Sequence, residues 1–200
     1  MDRLRIVIAE DDAFISSSLA AMLQNLGHQV LGCATCGNDA ELMIKSMMPD
    51  LAIMDIRMEG DRDGLAAAER VLRDAPLPIV IVTALNDAGL IEQADLIGVS
   101  GYILKPFSQN QLLSAIALAW SRFKQIQTLK VQIENLQETI RARKLIEQAK
   151  GLLMAKEGIT EADAFKRIQH MSRNQNIAMT RLAEAIIMTG KIMNAKRTTD

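Results

Sequence analysis

Four apolar runs end in residues able to do chemistry together. Glu10, Asp11 and Asp12 follow RIVIA, Asp55 closes LAIMD, Thr83 closes PIVIVT, and Lys105 with Pro106 follows GYIL. Carboxylates gathered in one place repel one another, and a hard divalent cation such as Mg²⁺, with its preference for oxygen ligands, is their natural neutraliser. A threonine hydroxyl and a lysine ammonium beside them can hold the oxygens of a phosphoryl group. The chemistry this set suits is phosphoryl transfer, in which positioning and charge neutralisation do most of the work.

The elements that must position these groups alternate along the chain. Short β-rich runs (RIVIA, QVLGC, LAIMD, PIVIVT, GYILK) are separated by amphipathic helical segments. Five apolar strands alternating with helices specify a doubly wound parallel sheet of α/β class. In that architecture the ligand site lies at the carboxyl edge of the strands, which is where all four polar strand ends fall.

Composition sets the outer bounds. The chain has 200 residues, 49% hydrophobic and 24% charged, the profile of a soluble globular protein. It has no apolar run of membrane-spanning length and no leader pattern, so a cytoplasmic location and no membrane partner are expected. Its formal net charge of −1 hides an asymmetry. Residues 1–120 carry 8 Lys+Arg against 16 Asp+Glu, and residues 121–200 carry 15 against 8. An acidic half joined to a basic half points to two domains with different partners, the basic one suited to a polyanion. Cys33 and Cys36 form a lone C-A-T-C that reads as ordinary thiols, since no second cysteine pair completes a metal site.

Over residues 4–120 the chain resembles the receiver domains of two-component response regulators. The resemblance implies that Asp55 is the phosphoacceptor and that Glu10, Asp11 and Asp55, with the Arg57 carbonyl, bind Mg²⁺. It implies that Thr83 and Lys105 contact the phosphoryl group, that Tyr102 is the aromatic responding to Thr83, and that the Lys105–Pro106 bond is cis. It also implies a sensor histidine kinase as phosphodonor. Two positions depart from the family pattern. Glu10 stands where aspartate is commoner, and DIRMEGDRDG lacks the usual Met-Pro after the phosphoacceptor and reads one residue longer.

Beyond Trp120 strand signals cease. Ile126, Leu129, Ile133, Leu136 and Ile140 step by 3, 4, 3 and 4, the spacing of a coiled-coil seam, so residues 121–140 read as a helical connector. Three helices are expected after it, near 141–157, 160–172 and 177–190, making a small three-helix bundle over 141–200. Gly158 ends the first, and Thr160 with Asp163 opens the second. On the first of these helices Leu145, Ile146, Ala149, Leu152 and Leu153 fill an apolar arc, while Lys144, Gln148, Gly151 and Ala155 line another face. A mid-helix glycine costs about 1 kcal/mol relative to alanine, so Gly151 suggests close approach by another backbone, of a helix or of a nucleic acid. Phe165, beside Ile168, is assigned to the core, and Asn174 or Asn176 to a cap of the third helix.

The combined A-K-G-L-L-M and E-A-D-A-F pattern resembles the ANTAR domain, the RNA-binding module of transcription antitermination regulators, over residues 141–190. The resemblance implies that phosphorylation promotes a homodimer or frees the tail, which then binds paired RNA stem-loops and prevents terminator formation. Arg143, Lys144, Gln148, Lys150, Arg173, Asn174, Gln175 and Arg181 are the candidate RNA contacts. Two other outputs fit three basic helices: a DNA-binding regulator, and a purely protein-interaction or dimerisation module. An enzymatic tail is not expected, because His170 has no catalytic partner nearby in sequence.

Overall fold

The computed structural model describes residues 3–58, 63–74, 76–84 and 88–197. The chain divides into two compact units, Met1–Thr128 and Leu129–Asp200. In the first, strands β1 (Arg5–Ala9), β2 (Gln29–Ala34), β3 (Leu51–Asp55), β4 (Ile79–Ala84) and β5 (Gly101–Lys105) form one parallel sheet in the order β2-β1-β3-β4-β5. Helices α1 (Ala13–Asn25), α2 (Gly37–Met47), α3 (Asp63–Asp74) and α4 (Ala88–Ile97) alternate with them, and α5 (Gln109–Glu157) follows β5. The doubly wound parallel sheet expected from the sequence is the fold.

Period-two alternation along the strands builds two cores. Ile6 and Ile8 of β1, Ile53 of β3 and Val80 and Val82 of β4 meet Leu19 and Leu23 of α1 and Leu112 and Ile116 of α5. Val7, Ala52, Met54, Ile79 and Ile81 point the other way, against Ile44 of α2, Ala68 and Val71 of α3 and Ala94 of α4. A sheet buried on both faces needs near-continuous apolar strands, which is why LAIMD and PIVIVT carry polar groups only at their ends.

In the second unit, the part of α5 beyond residue 128 packs with α6 (Glu161–Gln175) and α7 (Met179–Arg197) around Ala149, Leu153, Ala164, Ile168, Leu182 and Ala183. Thr160 caps α6, its hydroxyl oxygen accepting the Asp163 N–H at 3.3 Å, and Gly158 turns the chain at φ +67°. Asn176 ends α6 in the left-handed region, at φ 52°, so it closes the second tail helix rather than opening the third.

Two expectations change. The helix after β5, the connector and the first bundle helix are one unbroken helix of 49 residues, because nothing between Gln109 and Glu157 caps or breaks it. Phe165 is not a core residue: it is 40% exposed, on the flank of α6, while Ala164 and Ile168 take the buried positions. Every one of the five connector-seam residues is more than half exposed among the described residues.

His28 generates a prediction. It is buried beside β1, its Nδ1 accepting the Leu4 N–H at 3.3 Å, and its Nε2 has no partner among the described residues. Burial lowers its pKa below the ordinary 6.5, so the unfolded chain takes up a proton before the folded one. Stability is therefore full above about 6.5 and falls as the pH drops from there toward the lowered folded value. His28→Gln, whose amide oxygen can accept the same N–H, is expected to flatten that part of the pH profile in thermal melts.

Candidate phosphoryl-transfer and nucleic-acid sites

The carboxyl edge of the sheet holds the acidic set. β1 and β3 are neighbours, with Ala9 in register with Met54, so Glu10 and Asp55 emerge side by side. Ligand oxygens of Glu10, Asp11 and Asp55 all lie within 4.8 Å of one another. Glu10 and Asp55 are buried and Asp11 is exposed. Asp12 is used differently: its Oδ1 accepts the Phe14 and Ile15 N–H groups at 2.8 and 3.1 Å and caps α1.

Lys105 reaches into this cluster from the end of β5. Its Nζ donates to Glu10 Oε2 at 2.7 Å and to Asp55 Oδ2 at 2.6 Å. Desolvation opposes the Lys105 charge, but the hydrogen bonds to Asp55 and Glu10 prevail and raise its pKa above 10.5. Glu10 is also shifted upward, by burial first, with Lys105 pulling the other way and the Asp55 charge adding to the rise. The other Asp55 oxygen, Oδ1, accepts the Arg57 backbone N–H at 3.1 Å. Three carboxylates answered by one ammonium leave an excess of negative charge on hard oxygen donors, a composition that fits Mg²⁺.

Thr83 is fully buried at the end of β4, and Tyr102, paired in register with Ile81, is 54% exposed on β5. Both lie on the α4 side of the sheet. The Lys105–Pro106 peptide is cis. Residues 59–62 of the longer loop after Asp55 lie outside the described residues.

Gly64 belongs to the site's framework and was not singled out from the sequence. A Cβ there would overlap the Asp55 backbone carbonyl oxygen, so α3 can begin against the end of β3 only with glycine. The D-G pair at 63–64 was the available signal.

The basic tail rearranges the expected nucleic-acid set. Arg143, Lys144, Gln148, Arg173, Asn174, Gln175 and Arg181 are all exposed. Lys150 departs from the expectation: it is 6% exposed, and its Nζ donates to Glu147 Oε1 at 2.8 Å and Glu161 Oε1 at 2.6 Å. It ties α5 to the start of α6, and a lysine so held is not a free phosphate contact. Gly151 is exposed, with nothing within 4 Å of the place a Cβ would occupy, so among the described residues no other element approaches it closely. The close helix approach is at Gly190, where a Cβ would stand 3.0 Å from Leu152 Cδ1.

Comparison with known proteins agrees with both halves. The response regulator receiver domain family matches residues 6–117, and the ANTAR domain family matches residues 134–187. The chain belongs to the response regulators with an ANTAR output. The transcriptional regulatory protein PdtaR of Mycobacterium tuberculosis is 42% identical over 185 residues, covering 92% of this chain and 90% of that protein. The transcriptional regulatory protein DesR of Bacillus subtilis is 39% identical over 115 residues, 56% of each. Among solved structures, the signal receiver domain of a modulated diguanylate cyclase from Desulfovibrio desulfuricans G20 aligns with TM-score 0.58 and 30% identity, over 62% of this chain and 98% of that one. This response regulator's ANTAR match opens at residue 134, inside the expected connector. Among the described residues no helix is long and apolar enough to cross a membrane.

Gly64→Ala is expected to cost about 1–3 kcal/mol or more, since the clash is with backbone that has little freedom to yield. The lowered midpoint should be read in urea unfolding of the full chain followed through the receiver.

Proposed function

We propose that this response regulator is phosphorylated on Asp55 by a sensor histidine kinase in the cytoplasm, and that its ANTAR unit then binds paired RNA stem-loops to bring about transcription antitermination. The observation that carries the first half is Lys105 bridging Glu10 and Asp55 at the sheet edge. An Asp55 carboxylate oxygen attacks the phosphorus of a phosphohistidine; the P–O bond forms, the P–N bond breaks, and the imidazole leaves with a proton. Lys105 shifts from the carboxylates to a phosphoryl oxygen, and the Thr83 hydroxyl turns to another. Glu10, Asp11, Asp55 and the Arg57 carbonyl are the residues to hold Mg²⁺, whose charge would offset that of the transferring group. Phosphorylation adds roughly −1.5 to −2 charge beside Lys105. The inward move of Thr83 leaves room for the Tyr102 ring, which changes the surface that β5 presents.

For the output, support comes from the ANTAR match, the excess of cations in the tail and the exposed set Arg143, Lys144, Gln148, Arg173, Asn174, Gln175 and Arg181. RNA loops are read by polar side chains on splayed bases, with cations on the phosphates. The uncovered seam from Ile126 to Ile140 favours a homodimer as the RNA-binding form, with one stem-loop for each copy.

Two measurements test this reading. Asp55→Asn is expected to abolish labelling by a phosphorylated kinase, and full labelling of that variant refutes the assignment. An RNA with two adjacent stem-loops should bind better than duplex DNA of the same sequence. Its binding should strengthen with a small phosphodonor and Mg²⁺, and fall in Lys144→Ala. Equal binding to DNA would favour a DNA-binding regulator, and no binding in either state would favour a protein-interaction output.

A further inference from the structure

The outer face of α6 carries an arrangement of which the expected RNA contacts include only Arg173. Phe165, Gln169 and Arg173 are four residues apart and so form one line along the helix; Lys166 and His170 form the next. Phe165 is 40% exposed although the bundle core is immediately beside it, in Ala164 and Ile168. Lys166, His170 and Arg173 are exposed, and with Arg167, Gln169 and Met171 they line a groove; Phe165 lies outside that lining, on the adjoining line of the helix.

The charges are sorted along this helix. Its two acids, Glu161 and Asp163, lie in the first turn, where they suit the helix dipole. Both are engaged, Glu161 by Lys150 at 2.6 Å and Asp163 Oδ2 by the Thr160 hydroxyl at 2.6 Å. Arg167, which also lines the groove, is paired with Glu157 at 2.9 Å. Lys166 and Arg173 make no ion pair with a described residue, so the face beside Phe165 keeps its positive charge.

A half-exposed aromatic ring on a helix face that also carries unpaired cations is complementary to an unpaired nucleotide and its neighbouring phosphates. Its base offers a flat face to the ring and its phosphates offer charge to the ammonium and guanidinium groups. A peptide partner would need carboxylates matched to several cations and would gain little from one half-exposed ring. Paired stems fit poorly too, because their bases are stacked on each other and present no free face.

We propose that Phe165 is a stacking platform for an unpaired loop base, with Lys166 and Arg173 on the flanking phosphates and His170 at the groove's edge. The proposal rests on the RNA-output reading and deepens it: this face reads loops, whereas Lys144 and Gln148 lie on a different helix. His170 Nδ1 lies 3.2 Å from Asn174 Nδ2, which holds the imidazole beside the groove.

The test uses the full chain and two RNAs: adjacent stem-loops with 2-aminopurine in the loops, and the same stems closed as blunt duplexes without loops. Wild-type protein is expected to prefer the looped RNA and to alter the 2-aminopurine emission. Phe165→Leu keeps an apolar side chain but no flat ring, and should lose about tenfold in affinity for looped RNA, together with the emission change. Phe165→Trp should retain both. Lys166→Gln should weaken binding to both RNAs and reduce the salt dependence by about one phosphate contact. Thermal melts show whether each variant is folded, and Phe165→Trp and Lys166→Gln remain informative if Phe165→Leu is not. Loop-selective binding by wild type that Phe165→Leu leaves unchanged, or an unaltered emission on wild-type binding, overturns this inference alone. No RNA binding by wild type overturns the RNA-output reading and this inference with it.

Discussion

The receiver unit is organised around a set of negative charges that the sheet forces together. Glu10 and Asp55 are buried, and taking carboxylates out of water is costly unless a partner compensates. Adjacency of β1 and β3 makes the encounter unavoidable, because the chain reverses its direction of winding between those two strands. Compensation has to arrive from further away. β5 is two strands from β3, so only a long side chain at its end can reach across, and Lys105 meets both carboxylates at hydrogen-bond distance. One ammonium does not balance three carboxylates, and Glu10 is shifted upward, by its burial first and by the Asp55 charge in addition.

The backbone around this cluster gives neighbouring residues separate tasks. Three consecutive acids take three different environments: Glu10 points into the site, Asp11 stays exposed at its rim, and Asp12 turns to cap α1. Without that cap the first N–H groups of α1 would need another acceptor, and Asp12 would add a further negative charge to the cluster. On the other side, Gly64 lets α3 start against the Asp55 carbonyl. The start of α3 thereby packs directly on the main chain of Asp55.

The receiver was legible because its signals are redundant. Alternating apolar runs, polar strand ends and amphipathic helices all demand the same parallel sheet, and four strand ends converge on one edge. The tail was less legible because a helical pattern gives angles around an axis but not the neighbours. Lys150 and Lys144 look alike in sequence; what separates them is Glu161, eleven positions from Lys150 and close only once α6 folds back. Phe165 and Ile168 are both apolar on α6, yet the narrow bundle admits Ile168 and leaves Phe165 on its flank. Gly151 and Gly190 are each mid-helix, and only the fold shows that the close approach is at the second. The continuity of the connector was not legible for another reason: a change in what a helix contacts leaves no mark on its backbone, so α5 continues through.

That continuity gives α5 three successive apolar stripes. Leu112, Ile116 and Ala119 enter the receiver core, and Ala149 and Leu153 enter the bundle core. The seam between them, from Ile126 to Ile140, is more than half exposed at each of its five residues, and a helix without packing on an apolar face is weakly held in water. Its mean spacing of 3.5 residues suits a left-handed supercoil with a second copy. Five partly exposed side chains from each copy would contribute about 1 kcal/mol apiece on burial. Association itself costs about 4–15 kcal/mol, so the gain and the cost are of the same size. In the proposed dimer a seam this short would leave association near balance, where the few kcal/mol typical of coupling between sites would decide the outcome. A longer seam would hold such a dimer together by itself, and a shorter one would contribute too little to form it.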